Sequence, residues 1–155
     1  MSVLLVCTGN ICRSPMAAAL FRREFEERNA PVHVRSAGTG AWDGASASEG
    51  AYLIALENGL DLSQHRATLL TRALVAETDL ILTMARHHRT RVEDLGGQGK
   101  TFVLGEYVGR DGDSAEVSDP FGGSLEVYRE TYHEIERMGS LAVEKILEGL
   151  RENPG

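Results

Sequence analysis

Residues 3–15 read Val3-Leu4-Leu5-Val6-Cys7-Thr8-Gly9-Asn10-Ile11-Cys12-Arg13-Ser14-Pro15. The apolar run at the start is too short for a helix and rich in β-branched residues, which predicts a buried parallel strand over 3–6. Pro15 fits the first position of a helix, with Ser14 as its cap. Gly9 and Asn10 tolerate positive φ, so the backbone N–H groups between strand and helix can turn inward. A concave site of this kind at a helix N-terminus binds phosphate-like anions.

Side chains of this loop predict chemistry as well as binding. Cys7 stands where the strand ends and faces the positive end of the helix, an environment that favours the thiolate at neutral pH. Arg13 closes the loop with a planar guanidinium that can bind two oxygens of a tetrahedral oxyanion. Ser14 can donate a hydrogen bond to the sulfur, which favours the thiolate as nucleophile and as leaving group. The predicted phosphate-binding loop consists of Thr8, Gly9, Asn10, Ile11, Cys12, Arg13 and Ser14.

Strand and helix patterns alternate along the rest of the chain, which predicts a single doubly wound α/β domain over residues 1–155. We expect a four-stranded parallel sheet with helices on both faces. Further strands are predicted over 32–35, 80–84 and 101–104. Helices are predicted over 16–28, 49–58 and 86–95, with a short helix capped by Thr71 and a long one capped by Ser124. Leu141 lies in the predicted apolar stripe of the long helix. Residues 105–123 show no periodicity and are predicted to form a long functional loop or lid.

Composition restricts the partners and the compartment. The chain of 155 residues carries a net charge of -7, which argues against nucleic acid as a partner because backbone binding needs a basic face. Two cysteines only five positions apart are a poor disulfide framework. Met1 and Ser2 leave no room for a targeting segment, and no apolar run has membrane-spanning length. We expect a cytoplasmic protein without membrane partners, and a monomer.

Asp119 is the predicted proton donor. Pro120 excludes helix at Asp119 and stiffens the turn, which holds the carboxyl in one direction. Cleavage of a phosphate monoester by Cys7 would form a phosphocysteine, and the departing oxygen needs a proton. Asp119 would act first as general acid and then as the base that activates water, releasing inorganic phosphate. This chemistry requires no metal and no other cofactor.

Residues 6–17 resemble the phosphate-binding loop of the low-molecular-weight protein tyrosine phosphatases. Further similarities follow in order at residues 36–39, 65–67, 79–84 and 119–123, so the resemblance covers essentially the whole chain. It implies a phosphotyrosine phosphatase I-like fold and the same roles for Cys7, Arg13 and Asp119. It also assigns Asn10 and Ser36, which could otherwise be simple turn residues, to the hydrogen-bond network that holds the loop's shape. We add His65 to these loop-supporting residues, with a surface histidine as the alternative. The chain departs from the family pattern at Ala18, where a glutamate is common, and at 121–122, where some relatives carry a tyrosine pair.

Several residues keep more than one interpretation. Ile11, Trp42 and Phe121 are predicted to wall the substrate cleft, although Trp42 could instead cover core. Cys12 is either a loop-packing residue or a partner that forms a reversible disulfide with oxidised Cys7. His87 and His88 are interpreted as surface histidines. A metal site built from the cysteines and these histidines lacks recognisable ligand spacing.

Three enzymatic functions fit the loop, each acting on an oxyanion. The first is a phosphotyrosine phosphatase acting on a phosphorylated protein. The second is a protein-arginine phosphatase, because residues 79–84 and 102–109 resemble that bacterial branch. In that branch the position of Ile11 is threonine, and the missing hydroxyl favours phosphotyrosine here. The third is a thiol-dependent arsenate reductase, disfavoured because no cysteine follows Cys12 to relay a disulfide. A noncatalytic phosphate-binding module is disfavoured by the presence of Cys7 and Asp119.

Overall fold

Four parallel strands form the centre of the molecule, in the order β2-β1-β3-β4. The computed structural model describes residues 1–152, so the last three positions of the predicted domain lie outside the described residues. The strands are β1 (Ser2–Cys7), β2 (His33–Gly38), β3 (Leu80–Thr83) and β4 (Thr101–Val103). Six α-helices are described between and after them: α1 (Arg13–Glu27), α2 (Glu49–Glu57), α3 (Arg72–Ala76), α4 (Arg86–Asp94), α5 (Leu104–Tyr107) and α6 (Leu125–Glu152).

Helices cover both faces of the sheet because neighbouring residues of a strand point to opposite sides. Val3 and Leu5 of β1 belong to a core with the apolar residues of α1, α2 and α6. Leu4 and Val6 belong to a second core with residues of α3 and α4, including Val92. The predicted doubly wound α/β fold with a four-stranded parallel sheet is therefore confirmed.

Most helix boundaries agree with the capping residues in the sequence. Thr71 accepts a hydrogen bond from the backbone N–H of Leu74 and caps α3, as predicted. Ser124 accepts one from Val127 at the start of α6, also as predicted. Ser48 caps α2 by accepting from the N–H of Ala51.

Some sequence predictions about helix ends, the late loop and the apolar stripe were wrong. Ser14 does not cap α1: the helix begins at Arg13, its N-cap residue is Cys12, and no side chain caps it. Residues 105–123 are not irregular throughout, since most of α5 and a 3₁₀ turn over Gly112–Ala115 lie there. Leu141 is not in the buried stripe of α6 and is 53% exposed.

No helix within residues 1–152 is long and apolar enough to cross a membrane.

Candidate active site

The loop between β1 and α1 lies at the carboxyl ends of the strands, where open α/β sheets bind ligands. Asn10 has a φ of 55°, which an asparagine tolerates, whereas Gly9 does not adopt a positive φ. The loop packs tightly against the end of β2: Thr39 N–H donates to the Cys7 carbonyl and Gly40 N–H to the Thr8 carbonyl, both at 2.9 Å. A Cβ at Gly38 would collide with the Thr8 carbonyl oxygen and lie 2.9 Å from the Asn10 nitrogen. Glycine is therefore required at position 38 for this close approach.

The side chain of Asn10 is completely buried and ties the loop together. Its amide nitrogen donates to Ser14 Oγ at 2.7 Å and to Ser36 Oγ at 3.0 Å, and its oxygen accepts from the N–H of Thr68 at 2.9 Å. His65 Nε2 lies 2.7 Å from the carbonyl oxygen of Asn10, which can only accept, so this ring nitrogen carries the proton. Ser36 and His65 thus lie in contact with the loop, where the sequence analysis placed them.

Ser14 Oγ lies 2.9 Å from Cys7 Sγ, and both residues are buried. Since Asn10 already donates to Ser14 Oγ, the single hydroxyl proton of Ser14 is free to point at the sulfur. The Ser14 hydroxyl can therefore donate a hydrogen bond to the sulfur of Cys7. The Ser14 hydroxyl thus contacts both Asn10 and Cys7, which explains why it is not used as a helix cap.

Cys12 is buried among different partners. Its sulfur lies 3.2 Å from Ser48 Oγ and 3.4 Å from the hydroxyl oxygen of Tyr128. Burial raises the pKa of the Cys12 thiol, which keeps it protonated near neutral pH. Both cysteines are free thiols. The two sulfurs therefore have different partners: Cys7 contacts the Ser14 hydroxyl of the loop, whereas Cys12 contacts the hydroxyls of Ser48 and Tyr128.

Arg13 and Asp119 meet at the same cavity. One guanidinium nitrogen of Arg13 donates to the carbonyl oxygen of Val117 at 3.0 Å, and another lies 3.8 Å from Asp119 Oδ2. The Asp119 side chain is 55% exposed, so this ion pair contributes only about 0–1 kcal/mol. Phe121 N–H donates to Asp119 Oδ1 at 3.1 Å, which orients the carboxyl. The Asp119 carboxyl is thus held beside Arg13 by a weak, solvent-exposed ion pair and a backbone hydrogen bond.

The loop and the Asp119 segment enclose a cavity of about 290 Å³, a suitable size for one side chain. It is lined by Cys7, Thr8, Gly9, Ile11, Cys12, Arg13, Asp119 and Phe121. Trp42, predicted to share the wall with Ile11 and Phe121, is not among these lining residues, and its side chain is 84% exposed. Its contact with a substrate stays a prediction. Among residues 1–152, no group of three or more His, Cys, Asp or Glu side chains could hold a metal ion.

Sequence reasoning missed one residue of the site. His88 was interpreted as a surface histidine, and this was wrong, because its side chain is completely buried. Its Nε2 lies 2.8 Å from Thr8 Oγ1, and its Nδ1 accepts from the N–H of Ala85 at 3.1 Å. The available signal was the four-residue spacing to Val92, which places both residues on the buried side of α4.

Residues 2–153 match the family model described as low molecular weight phosphotyrosine protein phosphatase. The chain belongs to this family. The predicted resemblance is therefore confirmed, and the chain is a hydrolase acting on phosphate monoesters.

Similar proteins include both substrate branches of the family. The chain is 39% identical over 140 residues to the protein-arginine-phosphatase of Bacillus subtilis (strain 168), which covers 89% of this chain and 91% of that protein. It is 36% identical over 138 residues to the low molecular weight protein-tyrosine-phosphatase Wzb of Escherichia coli (strain K12), covering 88% of each. A solved structure of the YwlE arginine phosphatase, a mutant with a phosphorylated active site serine, has a TM-score of 0.88 at 36% identity and covers 99% of this chain and 97% of that chain.

Burial of His88 makes stability depend on pH. Burial, reinforced by His87 and Arg13, lowers the pKa of His88 from 6.5 to about 3. Between these values the unfolded chain binds more protons than the folded one, so the free energy of unfolding falls as pH drops below about 6.5. For His88 alone the loss between pH 7 and pH 5 is about 2 kcal/mol.

Urea denaturation at the two pH values checks this expectation. His88→Gln should lose about 2 kcal/mol less than the wild type on going from pH 7 to pH 5. The exposed neighbour variant His87→Gln is the control and should follow the wild type. An equal loss in wild type and His88→Gln would contradict the assignment of His88 as a buried neutral histidine.

Proposed function

We propose that the protein hydrolyses phosphotyrosine in proteins through a phosphocysteine intermediate on Cys7. The observation that carries the proposal is the Ser14 hydroxyl, bonded to Asn10 and 2.9 Å from the Sγ of Cys7, a residue that lines the same cavity as Arg13 and Asp119. The solved YwlE mutant has a phosphorylated active site serine, which supports an enzyme residue as phosphoryl acceptor.

In the first step the Cys7 sulfur attacks phosphorus, and the bond from phosphorus to the tyrosine oxygen breaks. The loop N–H groups of residues 8–14 and the free N–H groups of Arg13 bind the three equatorial oxygens as charge develops. Asp119 gives its proton to the departing tyrosine oxygen. The tether from Arg13 to the Val117 carbonyl holds the guanidinium in place before substrate arrives, because Val117 N–H itself donates to the Met84 carbonyl at 2.8 Å.

In the second step water attacks the phosphocysteine, and Asp119, now a carboxylate, accepts the water proton. The sulfur leaves as a thiolate that the Ser14 hydroxyl stabilises, and inorganic phosphate is released. Each group of the site thus returns to its starting protonation state. No metal or cofactor takes part.

The cavity wall supports the choice of substrate. Ile11 and Phe121 present apolar surface to the group attached to phosphorus, and Phe121 is 66% exposed and free to pack against an aromatic ring. We propose that Trp42, exposed on the adjacent loop, contacts the same substrate. A second candidate is a phosphoarginine phosphatase activity, which is favoured by the 39% identity to the Bacillus subtilis protein.

Ile11→Thr tests the choice of substrate. The added hydroxyl can pair with a polar N–H of phosphoarginine, whereas an unpaired polar group costs about 1–3 kcal/mol. We expect the ratio of kcat/KM for phosphoarginine over phosphotyrosine to rise by about ten- to a hundredfold. The measurement uses matched peptides that differ only in the phosphorylated residue. Ile11→Val is the control, because it changes shape without adding a hydroxyl.

The natural protein should prefer the phosphotyrosine peptide. A higher kcat/KM on phosphoarginine in the natural protein would make the second candidate the correct substrate. The phosphocysteine chemistry would stand in either case.

We also propose that the protein acts as a monomer in a reducing cytoplasm. The mechanism needs Cys7 as a free thiolate, and both cysteines are free thiols in the structure. The arsenate reductase function is not proposed, because Cys12 is the last cysteine of the chain.

A further inference from the structure

A buried histidine fixes a hydroxyl on the wall of the cavity. His88 is completely buried at the start of α4, while Thr8, its partner at 2.8 Å, is exposed and lines the cavity. Thr8 directly follows Cys7, so its side chain belongs to the first residue of the anion loop. This pair is not needed for any step of the proposed mechanism.

The tautomer of His88 is determined by its second contact. Nδ1 accepts a hydrogen bond from the backbone N–H of Ala85, so it carries no proton. Burial lowers the pKa of His88, which keeps the ring neutral at physiological pH. The single ring proton is therefore on Nε2 and is donated to Thr8 Oγ1. The hydroxyl of Thr8 accepts from His88, and within residues 1–152 its own proton and second lone pair have no other partner.

Other side chains on the wall offer little to a polar substrate group. Ile11 and Phe121 are apolar, and Cys7 and Arg13 are committed to the phosphoryl group in the proposed mechanism. The thiol of Cys12 already contacts the hydroxyls of Ser48 and Tyr128. Within the described lining, this leaves Asp119 and Thr8 as polar side chains beside the group attached to phosphorus. Phosphotyrosine has no hydrogen-bond donor there. Phosphoarginine has guanidino N–H groups, which must find acceptors when they leave water.

We propose that Thr8 Oγ1, held by His88, accepts a hydrogen bond from the guanidino group of phosphoarginine and so determines how well this enzyme uses its second candidate substrate. The inference rests on the proposed function, since it uses the same nucleophile and the same cavity. Thr8 is the specificity-determining residue, and His88 is a positioning residue that acts through it. The Thr8 hydroxyl thus offers the substrate a polar partner, which the side chain of Ile11 cannot do.

The test compares matched phosphoarginine and phosphotyrosine peptides with wild type, Thr8→Val and His88→Leu. We expect wild type to hydrolyse both peptides, with phosphotyrosine preferred. Thr8→Val, which removes the hydroxyl and keeps the shape, should lower the ratio of kcat/KM for phosphoarginine over phosphotyrosine by about tenfold or more. His88→Leu should lower the same ratio, and the double variant should lose no more than Thr8→Val alone.

Two further variants separate positioning from a structural role. His88→Gln can place an amide N–H near the position of Nε2, so it should restore the ratio toward the wild-type value. His87→Gln changes the exposed neighbouring ring and should leave the ratio unchanged. Thermal unfolding identifies any variant of the buried His88 that fails to fold. In that case the substrate ratio of Thr8→Val, a change at an exposed residue, decides the test.

Some outcomes test the role of Thr8, and others test the proposed function. An unchanged substrate ratio in Thr8→Val overturns the inference, as does a wild type that hydrolyses phosphotyrosine and not phosphoarginine; the proposed function survives both results. A wild type that hydrolyses neither peptide overturns the proposed function itself.

Discussion

Replacement of Cys7 by serine is expected to reduce turnover of phosphotyrosine peptides by about 1,000-fold or more. A serine hydroxyl in this position has no base beside it, because the neighbouring Ser14 hydroxyl is directed toward residue 7 as a donor. It is therefore a poor nucleophile and a poor leaving group. Steady-state kinetics on a phosphotyrosine peptide measure the loss.

Phosphate binding should persist in the same variant, since the loop N–H groups and Arg13 are unchanged. Calorimetric titration with inorganic phosphate checks this. Cys12→Ser is the matched control: its sulfur contacts Ser48 and Tyr128, and the variant should be at least about 100-fold more active than Cys7→Ser. Substantial turnover by Cys7→Ser, or equal losses in the two variants, would contradict the assignment of the nucleophile.

Replacement of Asp119 by alanine is expected to slow the reaction by about 100- to 10,000-fold for phosphotyrosine. The phenoxide of tyrosine needs a proton as it leaves, whereas an activated aryl phosphate needs little protonation. The loss on the activated substrate should therefore be much smaller. The measurement compares kcat/KM for a series of aryl phosphates with leaving groups of different acidity.

Asp111→Asn provides a matched change of charge on the same segment, at an exposed residue outside the cavity lining. It should behave like the wild type across the series. If Asp119→Ala loses the same factor on every leaving group, Asp119 is not the general acid.

The sequence was most informative where residues act on their own neighbours in the chain. The strand, the anion loop and the helix over residues 2–27 follow one another directly, and the residue types at Cys7, Asn10 and Arg13 serve the loop to which they belong. The start of α1 was still misplaced, because the hydroxyl of Ser14 is claimed by Asn10 and Cys7 instead of by the helix end. A rule for helix caps considers whether a side chain can bind the helix end, but not whether other side chains already bind it.

Contacts between distant parts of the chain were harder to predict. His88 reaches Thr8 across 80 positions, and its burial follows from the packing of α4 against the sheet. Gly38 is required by the approach of the loop carbonyl at Thr8, which no local pattern shows. Leu141 fitted the helical period, yet it lies on the part of α6 that faces solvent. These errors share one cause: burial depends on which elements meet.

The phosphoryl group is proposed to pass through Cys7. Rapid quenching in an alkaline denaturant during turnover of a phosphotyrosine peptide, followed by mass spectrometry of the digested protein, tests it directly. Asp119→Ala is the enzyme to use, because loss of the base should also slow hydrolysis of the intermediate. We predict one added phosphoryl group on the peptide that contains Cys7, and the same label when Cys12→Ser is added to the Asp119→Ala enzyme. A quenched enzyme that turns over substrate but carries no phosphoryl group, or carries it on another residue, would contradict the account.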